Sequence, residues 1–119
     1  MRDYRIYGKV MHGDGLGQKY GFPTANIELE KKEFCIREGV YAALGLINNT
    51  EYKVALAVRK NPWKVEAHVI DFEGDLYGSY IAVEPIQKVS EFELYDSDDE
   101  LIAKIRQDVE IVREILQKK

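Results

Sequence analysis

The sequence has little cysteine, little proline and no long hydrophobic run. Its single cysteine, Cys35, cannot form an internal disulfide and has no Cys or His at the spacing of a zinc site. No segment approaches the roughly 18 to 20 consecutive apolar residues that span a bilayer, and the first five residues lack the apolar core of a signal peptide. These absences exclude a disulfide scaffold and predict a cytoplasmic protein with no membrane partner.

The length and charge of the chain limit its organisation and its partners. A chain of 119 residues is long enough for one hydrophobic core and too short for two. We therefore expect a single domain over residues 1–119, and we expect it to be a monomer. The net charge of −4 argues against nucleic-acid binding, because Lys and Arg make most phosphate contacts.

The densest glycine segment lies between residues 8 and 26. Glycines allow backbone N–H groups to approach an anion closely, and Thr24 and Asn26 then offer a hydroxyl and an amide oxygen that suit Mg²⁺. The spacing matches neither a Walker A loop nor a Gly-x-Gly-x-x-Gly loop that opens a helix. From the residues alone, a phosphate loop and an ordinary flexible turn both remain open. The glycines concerned are Gly13, Gly15, Gly17 and Gly21.

Alternating or β-prone runs predict about five or six antiparallel strands. Residues 4–11 alternate large and polar side chains, and residues 39–47 and 52–58 flank an Asn-Asn turn typical of a hairpin. Residues 64–72 and 76–86 flank Glu-Gly-Asp, which predicts a second hairpin. Residues 27–38 are rich in charge, and we expect an irregular or short extended segment there.

The C-terminal segment predicts one amphipathic helix. Ser97 and Glu100 match a capping box, in which the serine hydroxyl accepts from a first-turn N–H. The apolar residues that follow recur at three- and four-residue spacing, which gives one apolar face. Short strands followed by one helix predict a closed barrel, with the helix packed on it and closing one end. The apolar face consists of Leu101, Ile102, Ile105, Val109, Val112 and Leu116.

Several motifs resemble the riboflavin kinase (flavokinase) family. The most specific is Gly-Phe-Pro-Thr-Ala-Asn at 21–26, and the order continues through Gly-Val-Tyr-Ala at 39–42, Asn-Pro at 61–62, Val-Glu-Ala-His at 65–68 and the terminal helix. The resemblance covers nearly the whole chain and is to the C-terminal kinase domain of bifunctional bacterial riboflavin kinase/FAD synthetases. It implies a mainly β fold, namely a closed six-stranded antiparallel Greek-key barrel with a C-terminal α-helix.

The resemblance also implies a reaction, which is ATP- and Mg²⁺-dependent phosphorylation of the riboflavin 5′-hydroxyl to give FMN and ADP. Glu66 matches the family's base, Thr24 and Asn26 match its metal site, and the four glycines match its nucleotide cover. Asn61 and Trp63 stand where the family builds part of its flavin site. A chain of this length leaves no room for an adenylyltransferase domain, so we expect the product to be FMN rather than FAD.

The strand alternation places two titratable groups together. Glu66 and His68 are two residues apart in an extended run, so their side chains project from the same face. Such a pair fits acid–base chemistry. From the residues alone, Glu66 could equally be a solvated strand residue paired with Lys64, and His68 a hydrogen-bonded structural histidine.

The chain departs from the family pattern around the expected flavin site. Arg59 stands where the family usually has glycine, and only three residues separate Asn-Pro from Glu66. Gln87 occupies the place of an arginine, and Lys88 supplies one ammonium rather than a two-pronged donor. These departures leave two alternatives: a non-catalytic flavin- or nucleotide-binding module, or a kinase of a related small hydroxyl substrate.

Overall fold

The computed structural model describes residues 6–11, 24–29, 36–60, 63–72, 76–91, 93 and 96–117, with Thr24 and Ala25 described by their backbone. Within these ranges the chain forms six strands and one helix. They are β1 (Ile6–Met11), β2 (Thr24–Glu28), β3 (Gly39–Ile47), β4 (Thr50–Lys60), β5 (Trp63–Val69), β6 (Tyr80–Ser90) and α1 (Asp98–Gln117). In this part of the chain no helix is long and apolar enough to cross a membrane.

The six strands close into an antiparallel barrel in the order β1-β2-β5-β4-β3-β6. β3, β4 and β5 pair consecutively, and β6 returns to lie on the other side of β3. This is Greek-key order, because the fourth strand of the set lies beside the first. The predicted barrel with a C-terminal helix is therefore confirmed, and closure removes the exposed edges that an open sheet would have.

The predicted hairpin between β3 and β4 is confirmed. Its two turn residues, Asn48 and Asn49, have φ angles of 49° and 69°, and Ile47 pairs with Thr50 across the turn. A two-residue turn with positive φ at both positions matches the twist of the flanking strands. Asparagine tolerates this backbone region better than most residues, which explains the sequence signal.

The predicted second hairpin, between residues 64–72 and 76–86, is wrong. β5 pairs with β2 and β4, whereas β6 pairs with β1 and β3. The Glu-Gly-Asp tripeptide itself lies outside the described residues. Its turn chemistry is a local preference, and it cannot decide pairing when both edges of β5 are already occupied by other strands. The strand β2 differs from expectation too, because the sequence predicts only an irregular or short extended segment, over residues 27–38.

The barrel interior is filled by the inward-facing residues of all six strands. Gly8 lies on β1 where it meets β2, and a Cβ atom there would stand 2.6 Å from Ile27 Cγ2 and 2.7 Å from the Glu28 carbonyl oxygen. Glycine therefore allows β1 and β2 to approach this closely. The buried core includes Ile6, Val10, Ile27, Ala43, Ile47, Val54, Leu56, Val58, Val65, Ala67, Val69, Leu76, Ile81 and Val83.

The helix begins as predicted and packs on the outside of the barrel. The Ser97 hydroxyl accepts a hydrogen bond of 3.2 Å from the Glu100 backbone N–H, which satisfies a first-turn donor. We expected α1 to close one end, but it covers the outer face of β3 and β4, where small apolar residues give it a flat surface. This second core contains Ala42, Leu44, Ala55, Ile70, Val109, Val112 and Leu116.

Two polar contacts fasten α1 to the strands. Lys104 Nζ donates to both carboxylate oxygens of the buried Asp108 at 2.7 Å and to Ser90 Oγ at 2.6 Å. Arg113 makes two 3.0 Å hydrogen bonds to the carboxylate of Asp71, just after β5. The helix is thus held both by apolar packing and by polar contacts to Ser90 of β6 and to Asp71 just after β5.

Candidate functional site

The outer face of β5 carries three polar side chains in alternation. Lys64, Glu66 and His68 point outward, while the residues between them are nearly fully buried in the barrel. A strand with one apolar and one polar face requires this period of two. The prediction that Glu66 and His68 share a face is confirmed.

The neighbouring strands place two further predicted residues next to this row. Asn26 on β2 lies directly opposite Glu66, and Thr24 lies opposite His68. On the other side of β5, Ala57 of β4 is the partner of Glu66. Directly opposed side chains of an antiparallel pair project to the same face with Cβ atoms about 4.5 to 5.5 Å apart. The Asn26 amide and the Glu66 carboxylate therefore share the outer face, with a small residue on the far side.

Glu66 is contacted from both directions along its own strand. Its Oε1 lies 3.4 Å from His68 Nε2, and its Oε2 lies 3.4 Å from Lys64 Nζ. The Glu66 side chain retains 18% of its exposure, compared with 27% for Lys64 and 11% for His68. Each carboxylate oxygen thus has its own basic neighbour, and the ion pair with Lys64 considered from sequence is present. The carboxylate remains open enough to meet a ligand.

The donor set fits a magnesium ion that arrives with a nucleotide. Among the residues that the structure describes, no group of three His, Cys, Asp or Glu side chains could hold a metal on its own. Mg²⁺ usually takes one or two protein oxygens, several waters and substrate phosphates. The neutral Asn26 amide beside Glu66 suits that pattern. Because the Thr24 side chain lies outside the described residues, the pair of ligands stays a prediction.

Trp63 has a structural role, which matches the core or rim position that the sequence left open beside a flavin contact. Its indole N–H donates a 3.0 Å hydrogen bond to the Leu29 carbonyl oxygen, and the ring packs against the barrel core. This contact ties the start of β5 to the end of β2. Its predicted contact with flavin stays a prediction. The other predicted binding residues, Gly13, Gly15, Gly17, Gly21 and Asn61, lie outside the described residues.

The departures from the family pattern fall in two places. Arg59 on β4 pairs in register with Lys64, two register positions from the pair of Ala57 and Glu66 and therefore on the same face, so a second basic residue borders the site. Gln87 and Lys88 lie on β6, which two strands separate from β5 in either direction around the barrel. Lys88 Nζ contacts Glu91 at 2.8 Å. Lys88 therefore has an ion pair remote from the Glu66 row.

Sequence reasoning missed the pairing of β2 with β5. That pairing places Asn26, a predicted metal ligand, beside Glu66, the predicted base. A signal was available, since Ala25 and Ile27 alternate with the polar residues Thr24, Asn26 and Glu28. Ile27 is buried and Glu28 exposed, as that alternation predicts. The proline before Thr24 and the charge-rich segment after Glu28 concealed a short strand.

The chain resembles known proteins over nearly its whole length. A family model described as riboflavin kinase matches residues 1–116. The bifunctional riboflavin kinase/FMN adenylyltransferase of Haemophilus influenzae is 35% identical over 119 residues, which cover 94% of this chain and 38% of that protein. The RNA-binding riboflavin kinase RibR of Bacillus subtilis is 32% identical over 114 residues, covering 90% and 49%. The chain thus spans less than half the length of these relatives.

Two solved structures share the fold. The riboflavin kinase from Trypanosoma brucei superposes with a TM-score of 0.71 at 26% identity and covers 94% of this chain and 76% of its own. A structure described as a macrolide-efflux protein from Streptococcus pneumoniae has a TM-score of 0.82 at 29% identity, covering 90% of this chain and 37% of its own. The barrel with its terminal helix is therefore a shared architecture.

Proposed function

Because the chain belongs to the riboflavin kinase family, we propose that it transfers the γ-phosphoryl group of ATP to the 5′-hydroxyl of riboflavin, producing FMN and ADP. The observation that carries this proposal is the register of β2 and β5, which sets Asn26 directly opposite Glu66 on the outer face of the barrel. A neutral oxygen ligand beside a partly exposed carboxylate is the pair that this reaction needs.

In the proposed reaction Glu66 is the general base. The hydroxyl O–H bond breaks with its proton passing to the carboxylate, the oxygen bonds to the γ-phosphorus, and the phosphorus–oxygen bond to ADP breaks. A base of this kind contributes typically about 10²- to 10⁴-fold. Positioning and charge neutralisation must supply the rest, because phosphoryl transfer needs little other help from the protein.

Asn26 and Thr24 are proposed to hold Mg²⁺, and the loop with Gly13, Gly15, Gly17 and Gly21 is proposed to cover the nucleotide. Mg²⁺, when bound with ATP, neutralises charge on the phosphate oxygens. Neutral protein ligands suffice for that purpose, since the nucleotide brings the negative charge. Asn61 and Trp63 are proposed to border the flavin, and the ring of Trp63 is already fixed by its hydrogen bond to Leu29.

Chromatographic detection of FMN tests the proposal. The purified protein is incubated with riboflavin, ATP and Mg²⁺, and parallel samples omit the metal or replace riboflavin with other small hydroxyl compounds. We expect FMN only with riboflavin and metal. Riboflavin binding without FMN would instead favour a non-catalytic module, and phosphorylation of another compound would favour a kinase of a different substrate.

A metal titration tests the ligand assignment separately. We expect Asn26→Ala to raise the Mg²⁺ concentration for half-maximal activity on the order of tenfold or more, since even outer-shell changes cost metal sites 10- to 100-fold. Glu28→Gln, an exposed change two residues further along β2, is the matched control and leaves the titration unchanged. An unchanged titration for Asn26→Ala contradicts the assignment.

We expect the partners to be riboflavin and ATP, and we expect the protein to be a cytoplasmic monomer. RNA binding belongs to the name of the Bacillus subtilis relative, and we do not extend it to this domain because the net charge is −4 and a phosphate backbone is bound by clustered cations. A gel-shift assay with single-stranded RNA checks this at low salt, and size-exclusion chromatography with light scattering checks the oligomeric state.

A further inference from the structure

We propose that His68 is a positioning residue that holds Glu66 Oε1 and so presents Oε2 to the substrate hydroxyl. This inference rests on the proposed function and adds the assignment of one oxygen to each task. The contact that carries it is the 3.4 Å separation between His68 Nε2 and Glu66 Oε1. His68 with its hydrogen on Nε2 can donate toward that oxygen.

The exposure of the three side chains distinguishes the two carboxylate oxygens. His68 is the least exposed member of the row, at 11% of its side chain, and Lys64 is the most exposed, at 27%. Oε1 therefore lies beside the more buried neighbour and Oε2 beside the more exposed one. In this proposal the substrate hydroxyl meets Oε2.

The surroundings of His68 favour a fixed imidazole. It lies between Thr24 of β2 and Ala55 of β4 in the register, and Ala55 itself packs under α1. The His68 side chain keeps only 11% of its exposure, and an imidazole buried to that extent has little rotational freedom. Since a misplacement of about 1 Å can cost an enzyme on the order of 10²-fold, a fixed partner for a flexible glutamate has a catalytic consequence.

Lys64 plays a different part at the open end. Its ammonium lies 3.4 Å from Oε2, and Arg59 borders it from β4. Because Lys64 neighbours Oε2, its ammonium adds positive charge on the side of Glu66 that meets the substrate in this proposal. Charge at this position offsets repulsion between the carboxylate and the phosphate, whereas His68 acts on orientation.

A matched pair of variants tests the role of His68. We expect His68→Leu, which fills the buried space without a donor, to lower kcat about 10- to 100-fold while KM for riboflavin stays near the wild-type value. His68→Gln keeps a donor close to the Nε2 position and recovers most of the loss. Val112→Ala, which weakens the helix packing on another face, is the control for general destabilisation and keeps the wild-type kcat below its melting temperature.

The results distinguish failure of the positioning role of His68 from failure of the proposed kinase function. A wild-type kcat in His68→Leu overturns the positioning role, as does a loss in KM alone or an equal loss in His68→Gln. Absence of FMN from the wild-type protein overturns the proposed function instead. In that case the contact is judged by melting temperatures of Glu66→Ala, His68→Leu and the double variant: non-additive shifts support the hold on Glu66, and additive shifts overturn it.

Discussion

The barrel has two outer faces that share the strand β4 and differ in the residues that the other strands contribute. The helix-covered face is formed by β3 and β4, with Ala42, Leu44 and Ala55 packed beneath α1. The site face is formed by β2, β5 and the adjoining part of β4, with Asn26, Lys64, Glu66 and the largely buried His68 on its outer side. Both faces are backed by the same apolar interior. The difference shows that outward-facing residues decide whether a barrel wall packs against a helix or stays polar.

β4 contributes to both faces within three residues. Ala55 packs with the helix core and pairs with His68, while Ala57 pairs with Glu66. Alanine serves both purposes, because it gives a flat surface under the helix and leaves room beside the carboxylate. The two faces thus meet at β4. Substitutions on the helix-covered face should change stability, and substitutions on the site face should change activity.

The largest expected effect lies on the site face. Glu66→Gln removes the proposed base and keeps the shape of the side chain, so turnover should fall about 10²- to 10⁴-fold with a melting temperature close to that of the wild type. Steady-state kinetics and a thermal melt check both parts, and Glu28→Gln serves as the control. Equal turnover in Glu66→Gln would remove the assigned role.

On the helix-covered face the expectation is reversed. Val112 is fully buried at 0% exposure, and Val112→Ala removes two carbons and leaves a cavity, which costs about 2 kcal/mol of unfolding free energy. Activity measured well below the melting temperature should be unchanged. Urea denaturation followed by circular dichroism gives the change in unfolding free energy. A drop in kcat at full folding would show that the two faces are coupled.

Gly8→Ala tests whether the interior couples to the site face. The added Cβ would meet Ile27 Cγ2 and the Glu28 carbonyl oxygen, and the backbone atom cannot turn aside. Overpacking of this kind costs typically about 1 to 3 kcal/mol, and here it pushes β2, which carries Asn26. We expect both stability and Mg²⁺-dependent activity to fall, unlike Val112→Ala. Stability lost with normal activity would contradict the coupling.

The smallest expected effect concerns the ion pair between the end of β5 and α1. The pKa of Asp71 lies below its ordinary value of 3.8, chiefly because Arg113 hydrogen-bonds to its carboxylate. A lowered folded-state pKa contributes stability above the unfolded pKa, and this contribution is lost as the pH falls through the folded pKa. The Asp71 side chain is 72% exposed and that of Arg113 is 39% exposed, so solvent screens the pair and its contribution is modest.

Asp71→Asn isolates that contribution. Asparagine suits the φ angle of 62° at this position, so the substitution removes the charge without adding strain. We expect a slightly lower melting temperature at neutral pH and no difference once the pH falls below the folded pKa of Asp71. Thermal melts over a pH series check it. A difference that persists in acid would point to backbone strain rather than to the ion pair.

Much of the fold was predictable because the deciding signals are local. The Asn48-Asn49 turn, the Ser97 cap and the apolar face of α1 each depend on residues a few positions apart. The same reliance on local signals produced the error at Glu-Gly-Asp, where a plausible turn joins strands that do not pair. Pairing in a closed barrel depends on which strands already occupy the two edges of each strand, and a short stretch of sequence does not contain that information.

The candidate site divides in the same way. Alternation along β5 was enough to place Glu66 and His68 on one face, and the motif resemblance pointed to Asn26 and Thr24. The sequence by itself therefore determined the inner and outer faces of most strands and the terminal helix, because these follow from periodicity and residue chemistry, while the assignment of the site residues stays a prediction. Only the tertiary structure set Asn26 opposite Glu66 and placed α1 on the side of the barrel. Both relations arise from strand order and packing between segments that are far apart in the chain, which local patterns do not record.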